Sequence, residues 1–232
     1  MKPTSLVIVV LAFAAPVGSI ATLDACNAVL GIERATLLVD EGGDAGGIGA
    51  DSTDPLTCSN YCTAIMQNCT GSNLEYLSND VCLTMCGYMT KGQFYPQSTE
   101  PDNVDSLGCR LWHANTAAMH PETHCRHAGP LGSDLCGGPC NPFCSLDWHY
   151  CTDDKGIGVY EGQVMGCESV CSGDAGFDYV KDSGDLVDPS SGAMIEMGNT
   201  LNCRLWHLET AIDKNDPTTH CPHTGQQSMT CQ

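Results

Sequence analysis

Positive charge is scarce in this chain. Nine Lys and Arg stand against 28 Asp and Glu, for a formal net charge of −19. Phosphate recognition needs clustered Lys and Arg, so nucleic acid is excluded as a partner. Direct adsorption to anionic membranes is excluded for the same reason. Aromatics are few as well: four Phe, three Trp and seven Tyr in 232 residues leave a thin aromatic core. The run Leu6 to Ala15 is too short to span a bilayer, and no longer apolar stretch follows it. Enzyme signatures are missing. There is no G-x-S-x-G, no H-E-x-x-H, no phosphate-binding glycine loop and no C-x-x-C-H. No strand pattern is convincing. We therefore expect a protein that is not an enzyme.

What the chain has is cysteine, seventeen in all, arranged in a duplication. Cys109-Arg110-Leu111-Trp112-His113 returns as Cys203-Arg204-Leu205-Trp206-His207. His124-Cys125-Arg126-His127 returns as His220-Cys221-Pro222-His223. Upstream, Cys58, Cys62, Cys69, Cys82 and Cys86 return as Cys140, Cys144, Cys151, Cys167 and Cys171, and Cys136 and Cys231 close the copies. Sixteen cysteines thus fall eight to a copy and can pair completely. Modules this small often rely on covalent staples, and such cysteine usage outside the cytosol means disulfides. The expected fold class is mainly α and disulfide-rich: two tandem homologous modules, 56–137 and 138–232, of about three short helices each with long irregular loops.

The spacing places the helices. Cys58, Cys62, Ile65 and Cys69 fall on one helical face, and Cys140, Cys144, Leu146 or Asp147, and Cys151 repeat it. Ser78-Asn79-Asp80 offers an N-cap before a second helix with Cys82 and Cys86, ended by Gly87 or Gly92; Cys167 and Cys171, ended by Gly173, are the counterpart. Two antiparallel helices that each carry C-x-x-x-C can join through two rungs, outer to outer and inner to inner. The expected pairs are Cys58–Cys86 with Cys62–Cys82, and Cys140–Cys171 with Cys144–Cys167. In this spacing the pair resembles the helical hairpin of the α-hairpinin peptides. A third helix starts near Asp105-Ser106 and near Gly198-Asn199-Thr200, with Pro121 and Pro217 ending it or opening the next turn. Cys69 and Cys151 are expected to staple to this helix or to the loop after it. Cys109, Cys125 and Cys136, with Cys203, Cys221 and Cys231, take up the remaining bonds. Each bridge closing 20 to 30 residues contributes about 3 kcal/mol in the chain-entropy model.

The histidines are the residues that could carry chemistry. His113, His124 and His127 match His207, His220 and His223. Imidazole is the commonest ligand for zinc and copper, and three rings plus water suit an open site. A histidine beside a disulfide can equally pack its ring and bond a carbonyl. Our leading reading is therefore a stable, non-enzymatic surface or periplasmic binding or structural module without a cofactor, and the alternative is one three-His copper or zinc site per repeat. Trp112, Trp206, Arg110 and Arg204 are read as structural, the arginines donating to carbonyls or an acidic neighbour. The insertion at 176–194, with Asp174, Asp178, Asp182, Asp185 and Asp188 in or beside it, is read as a solvated loop rather than a calcium site.

The N-terminus reads as a secretory signal over 1–25. Cys26 is left over by parity and is expected to be lipidated, although Asp24 fits a lipobox poorly; an intermolecular disulfide or a free thiol is the alternative. The Gly- and Asp-rich segment at 40–54 spans roughly 20 Å as a coil, so 26–55 reads as a tether. The signal, the Asp24-Ala25-Cys26-Asn27 start, the acidic spacer and the repeated C-R-L-W-H and H-C-P-H blocks resemble lipoproteins of myxobacteria and their relatives, which have no assigned activity. The resemblance implies a secreted protein at the bacterial outer membrane or in the periplasm. Its partner would be an unknown extracellular or envelope protein, with membrane contact only through the anchor.

Overall fold

The computed structural model describes residues 54–151, 159–160, 163–173, 176–181 and 183–232. The signal, Cys26, nearly all of the tether, Asp174 and Asp182 lie outside them. Among the described residues the chain is all-helical, with only two isolated bridges, Asp178 to Thr200 and Val187 to Met194. No described helix is long and apolar enough to cross a membrane.

In the first half, α1 (Cys58–Asn68) starts where Thr57 Oγ1 accepts from Asn60 N–H at 3.2 Å. It buries Tyr61, Cys62 and Ile65 on one face. Helix α2 (Asn79–Cys86) starts at Ser78, whose hydroxyl accepts from Val81 N–H, and ends at Gly87. Such caps satisfy amide donors that a helix start leaves orphaned, typically worth about 1 kcal/mol each. The two helices are antiparallel and laced by Cys58–Cys86 and Cys62–Cys82. Helix α3 (Leu107–Thr116) is capped by Ser106. Helix α4 (Pro121–Ala128) begins at Pro121, which suits a first turn because it lacks an N–H. The segment expected as a loop is thus partly helix. Cys69–Cys125 ties the end of α1 to α4, and Cys109–Cys136 ties the start of α3 to the turn that follows α4.

The second half repeats this plan. Helices α5 (Cys140–Tyr150) and α6 (Gln163–Ser172) are laced by Cys140–Cys171 and Cys144–Cys167. Helix α7 (Leu201–Asp213) is capped by Thr200, and α8 (Pro217–His220) by Asp216. Cys151–Cys221 and Cys203–Cys231 complete the set. All eight bonds stay within one half, in the same order in each. Arg110 and Arg204 are buried and tie down carbonyls: Arg110 donates to Gly129 O and Pro130 O and pairs with Asp105 at 2.6 Å. Arg204 donates to Thr200 O and Cys231 O and lies 3.6 Å from the Phe177 ring centre.

The described residues nevertheless pack as one compact unit. The insertion read as solvated is one reason, beside contacts of α2 with α7, and that reading is corrected here. Residues 183–187 are buried, and they run against the first half, where Gly184 N–H donates to Ser72 O at 2.9 Å and Leu186 N–H to Leu74 O at 3.4 Å. Asp185 is fully buried, although Asp178 on the same segment is exposed. Backbone edges left open by the 71–74 turn are closed by this segment, because buried amides need partners.

Candidate metal centre

The sequence-marked histidines gather around α3 and α7. Helix α3 sends His113 inward, where it is fully buried; α4 brings His124 and His127 to the same side three residues apart. His113 Nδ1 lies 2.9 Å from His124 Nδ1, and the His113 and His127 ring centres are 5.0 Å apart. One nitrogen from each of the three lies within 4.8 Å of the others. Trp112 packs edge-on against both His113 and His124, closing one side of the cluster.

The second half builds a near copy. His207 Nδ1 lies 3.1 Å from His220 Nδ1, the His207 and His223 rings are 4.6 Å apart, and Trp206 packs edge-on against His207 and His220. Among the described residues, convergence of three imidazoles within 4.8 Å is found in the first half alone. The sulfurs of Cys109 and Cys136 lie close to His113, as do those of Cys203 and Cys231 to His207, but each pair is oxidised and offers no thiolate. His120 is exposed and sits 6.5 Å, ring to ring, from His124.

Burial fixes the protonation state. It pushes His113 down to about 3, helped by the neighbouring His127 and His124. His127 falls to about 4 through burial, then Arg126 and His124, and His124 is lowered chiefly by burial. His207 falls to about 4 for the same reasons, and His220 is lowered by burial. Burial thus favours the neutral form of these five rings, and a neutral imidazole keeps a lone pair for a ligand. Two neutral rings facing each other through Nδ1 share one proton. The other side of the central ring is then left over. His113 Nε2 and His127 Nδ1 are buried without a hydrogen-bond partner, and so are His207 Nε2 and His223 Nδ1. The same atoms are orphaned in the same order twice. An unmet buried polar atom costs about 1–3 kcal/mol, so a repeated pair calls for an explanation. The halves differ here: the Glu196 backbone favours the charged form of His207, against the larger opposing effect of burial.

The donor set fits a borderline d-block ion. Tetrahedral zinc with bonds of roughly 2.0–2.1 Å separates its ligand nitrogens by roughly 3.3 Å, so first-half nitrogens that lie within 4.8 Å of one another would close by up to about 1.5 Å around an ion. Sequence reasoning marked these histidines but missed the buried carboxyls. Glu75, Asp147, Asp185 and Glu209 are all at most 2% exposed. The only sequence signal for Asp147 was its place opposite Ile65 in the cysteine register.

The fold and the site together define a disulfide-laced, all-helical module with clustered imidazoles. The BfoA family C-terminal domain matches residues 50–139, a span that contains all four disulfides of the first half. A putative EGF-like domain-containing protein of Acanthamoeba polyphaga mimivirus is 37% identical over 92 residues, covering 39% of this chain and 17% of that protein. The Aurasperone B biosynthesis cluster protein A of Aspergillus niger is 33% identical over 86 residues, covering 37% of this chain and 27% of that protein. The chain therefore spans less than a third of either relative's length. No solved structure matches. These relatives are viral and fungal, and the likeness to myxobacterial lipoproteins gains nothing from them. Eight disulfides fit an oxidising, extracellular setting with a structural or binding role, as does a relative named for an EGF-like domain.

Proposed function

We propose that the chain is a secreted, non-catalytic binding module whose first half holds one zinc or copper ion among His113, His124 and His127. The observation that carries this reading is the orphaned pair His113 Nε2 and His127 Nδ1, repeated at His207 Nε2 and His223 Nδ1. A metal would satisfy nitrogens that the protein leaves bare, and the surrounding disulfides hold the rings without a large core. The second half is the weaker site, because three-imidazole convergence within 4.8 Å is found in the first half and not there. That difference favours a second reading, in which the histidines only pack a structural module. Cys26 and the tether would then serve to display the module toward an extracellular or envelope partner. Outer-membrane or periplasmic attachment belongs to this proposal.

The test is zinc and copper titration of the oxidised, secreted chain, read by bound-metal analysis and by Trp112 fluorescence. One ion per chain is expected at micromolar concentration or below. His113→Ala and His127→Ala should each weaken it at least 100-fold, whereas His149→Ala should leave it unchanged. Absence of stoichiometric metal in the native protein would leave the packing reading.

A further inference from the structure

The two halves share no disulfide, so apart from the chain running through 137–139 the seam between them is held by non-covalent contacts, and carboxyls sit within it. Glu75, from the segment between α1 and α2, is 1% exposed; Asp185, from the insertion of the second half, is 0% exposed. Glu75 Oε2 accepts from Asp185 N–H at 3.2 Å. Asp185 Oδ2 accepts from Leu131 N–H at 3.1 Å, and Asp185 Oδ1 accepts from the Tyr179 hydroxyl at 2.8 Å. Both carboxyls press on Gly129: a methyl group there would lie 2.0 Å from Glu75 Oε2 and 2.8 Å from Asp185 Oδ2. Only a residue without a side chain lets the two acids meet at that point. Glu75 Oε1 has no partner.

Two buried carboxylates side by side repel strongly unless something neutralises them. The neighbours do not suffice. Tyr61 and Tyr76 face the pair from the first half, bonded to each other at 2.8 Å, and their hydroxyls are neutral. Among the described residues, Arg110 on α3 is the cation that acts on both the tyrosines and Asp185, and it is already spent on Asp105 and two carbonyls. Glu209 on α7 adds a further carboxyl, with Asp213 beyond it. These acids do not present three oxygens within 4.8 Å of one another among the described residues, which argues against a shared ion. Burial, then the charge of Asp185, hold Glu75 well above the usual carboxylate range, and burial also raises Asp185. A proton shared between them is the remaining neutraliser, with Glu75 as the donor.

We propose that Glu75 and Asp185 form a proton-held clasp between the halves, closed while they share a proton and opened when both ionise, releasing residues 183–187 from the first half. The sign follows from where protons bind. Carboxyls whose folded affinity for protons is raised stabilise the closed form most fully below about pH 4 and lose that contribution as pH rises through their folded values. The intramodular disulfides keep each half folded while the seam opens, so the response is local.

Hydrogen exchange on the full oxidised chain tests the clasp at the amides that cross the seam: Leu131, Gly184, Asp185 and Leu186. After correction for intrinsic rates, protection there should fall at least tenfold between pH 5 and pH 9, while amides inside α1 and α2 keep theirs. Glu75→Gln retains a donor to Asp185 and removes one titration, so its seam should remain protected at pH 9. Asp185→Asn provides the same reading from the other side should Glu75→Gln fail to fold. Equal protection of the native seam at both pH values, or an undiminished drop in the folded variant, would overturn the clasp.

Discussion

The two halves carry one disulfide plan on two different interiors. Where α1 buries Ile65, α5 buries Asp147; where α3 has Gly108, α7 has Asn202. Gly108 lets α3 touch the loop before it, since a methyl group at that position would lie 1.8 Å from Gln93 O. Asn202 instead reaches out, accepting from Val180 N–H and donating to Val180 O and Asp185 O. So the first half closes on its own loop, and the second half organises the insertion that docks onto the first. The comparison teaches that the sulfur framework tolerates polar substitution inside because covalent bonds do the work that a core does elsewhere.

The most damaging way to break the comparison is at the longest rungs. Cys69–Cys125 and Cys151–Cys221 close 56 and 70 residues. Replacing either pair by serine should cost about 4 kcal/mol in the chain-entropy model, against about 3 kcal/mol for the hairpin rung Cys62–Cys82, measured by chemical denaturation. Next comes Asp147→Ile, which gives the second half the interior of the first. Burial pushes Asp147 up to about 7, with Thr224 opposing, and Oδ1 has no partner. Because the folded pKa is raised, this carboxyl draws stability down as pH climbs from about 4 to about 7. The rise corresponds to an upper bound of about 4 kcal/mol; we expect Asp147→Ile to gain about 2 kcal/mol at pH 8 and nothing at pH 4. An equal gain at both pH values would show that Asp147 does not titrate in that window.

Two smaller substitutions sharpen the difference at the α3 and α7 starts. Gly108→Ala should cost about 1–3 kcal/mol by overpacking. Asn202→Ala should cost a similar about 1–3 kcal/mol by leaving buried backbone groups of the insertion unpaired. The distinction lies in place: thermal unfolding should register both, but only Asn202→Ala should raise exchange at Gly184 and Leu186. The least effect is expected at the exposed Lys181–Asp134 pair, 2.6 Å apart across the halves. Lys181→Met should change stability by less than about 1 kcal/mol, because solvent screens such pairs.

The helical hairpins were legible because their signal is local. Cysteines four apart share a helix face, and Ser78, Ser106 and Thr200 announce helix starts within three residues of the amides they cap. The arginine roles were legible because a guanidinium in such a frame is expected to donate to carbonyls at a helix end or to an acidic neighbour, and Arg110 does both with Gly129 O, Pro130 O and Asp105. The helical character of Pro121–Ala128 was only half legible, since Pro121 both stops one helix and opens another. The insertion was misread because Asp is ordinarily a surface residue. Nothing near Asp185 in sequence reveals a partner 110 residues away, just as nothing near Leu77 reveals its bond to Glu209 across 132 residues.

By itself, then, the sequence determined the covalent frame: periodic cysteines and nearby caps act over one or two helical turns, and the duplicated spacing repeats the instruction. Tertiary structure alone decided the convergence of His113 with His124 and His127, the burial of Glu75 against Asp185, and the joining of the halves. Those contacts bring together groups from different elements, and their energies depend on how much water is removed around them, a quantity that no local pattern encodes.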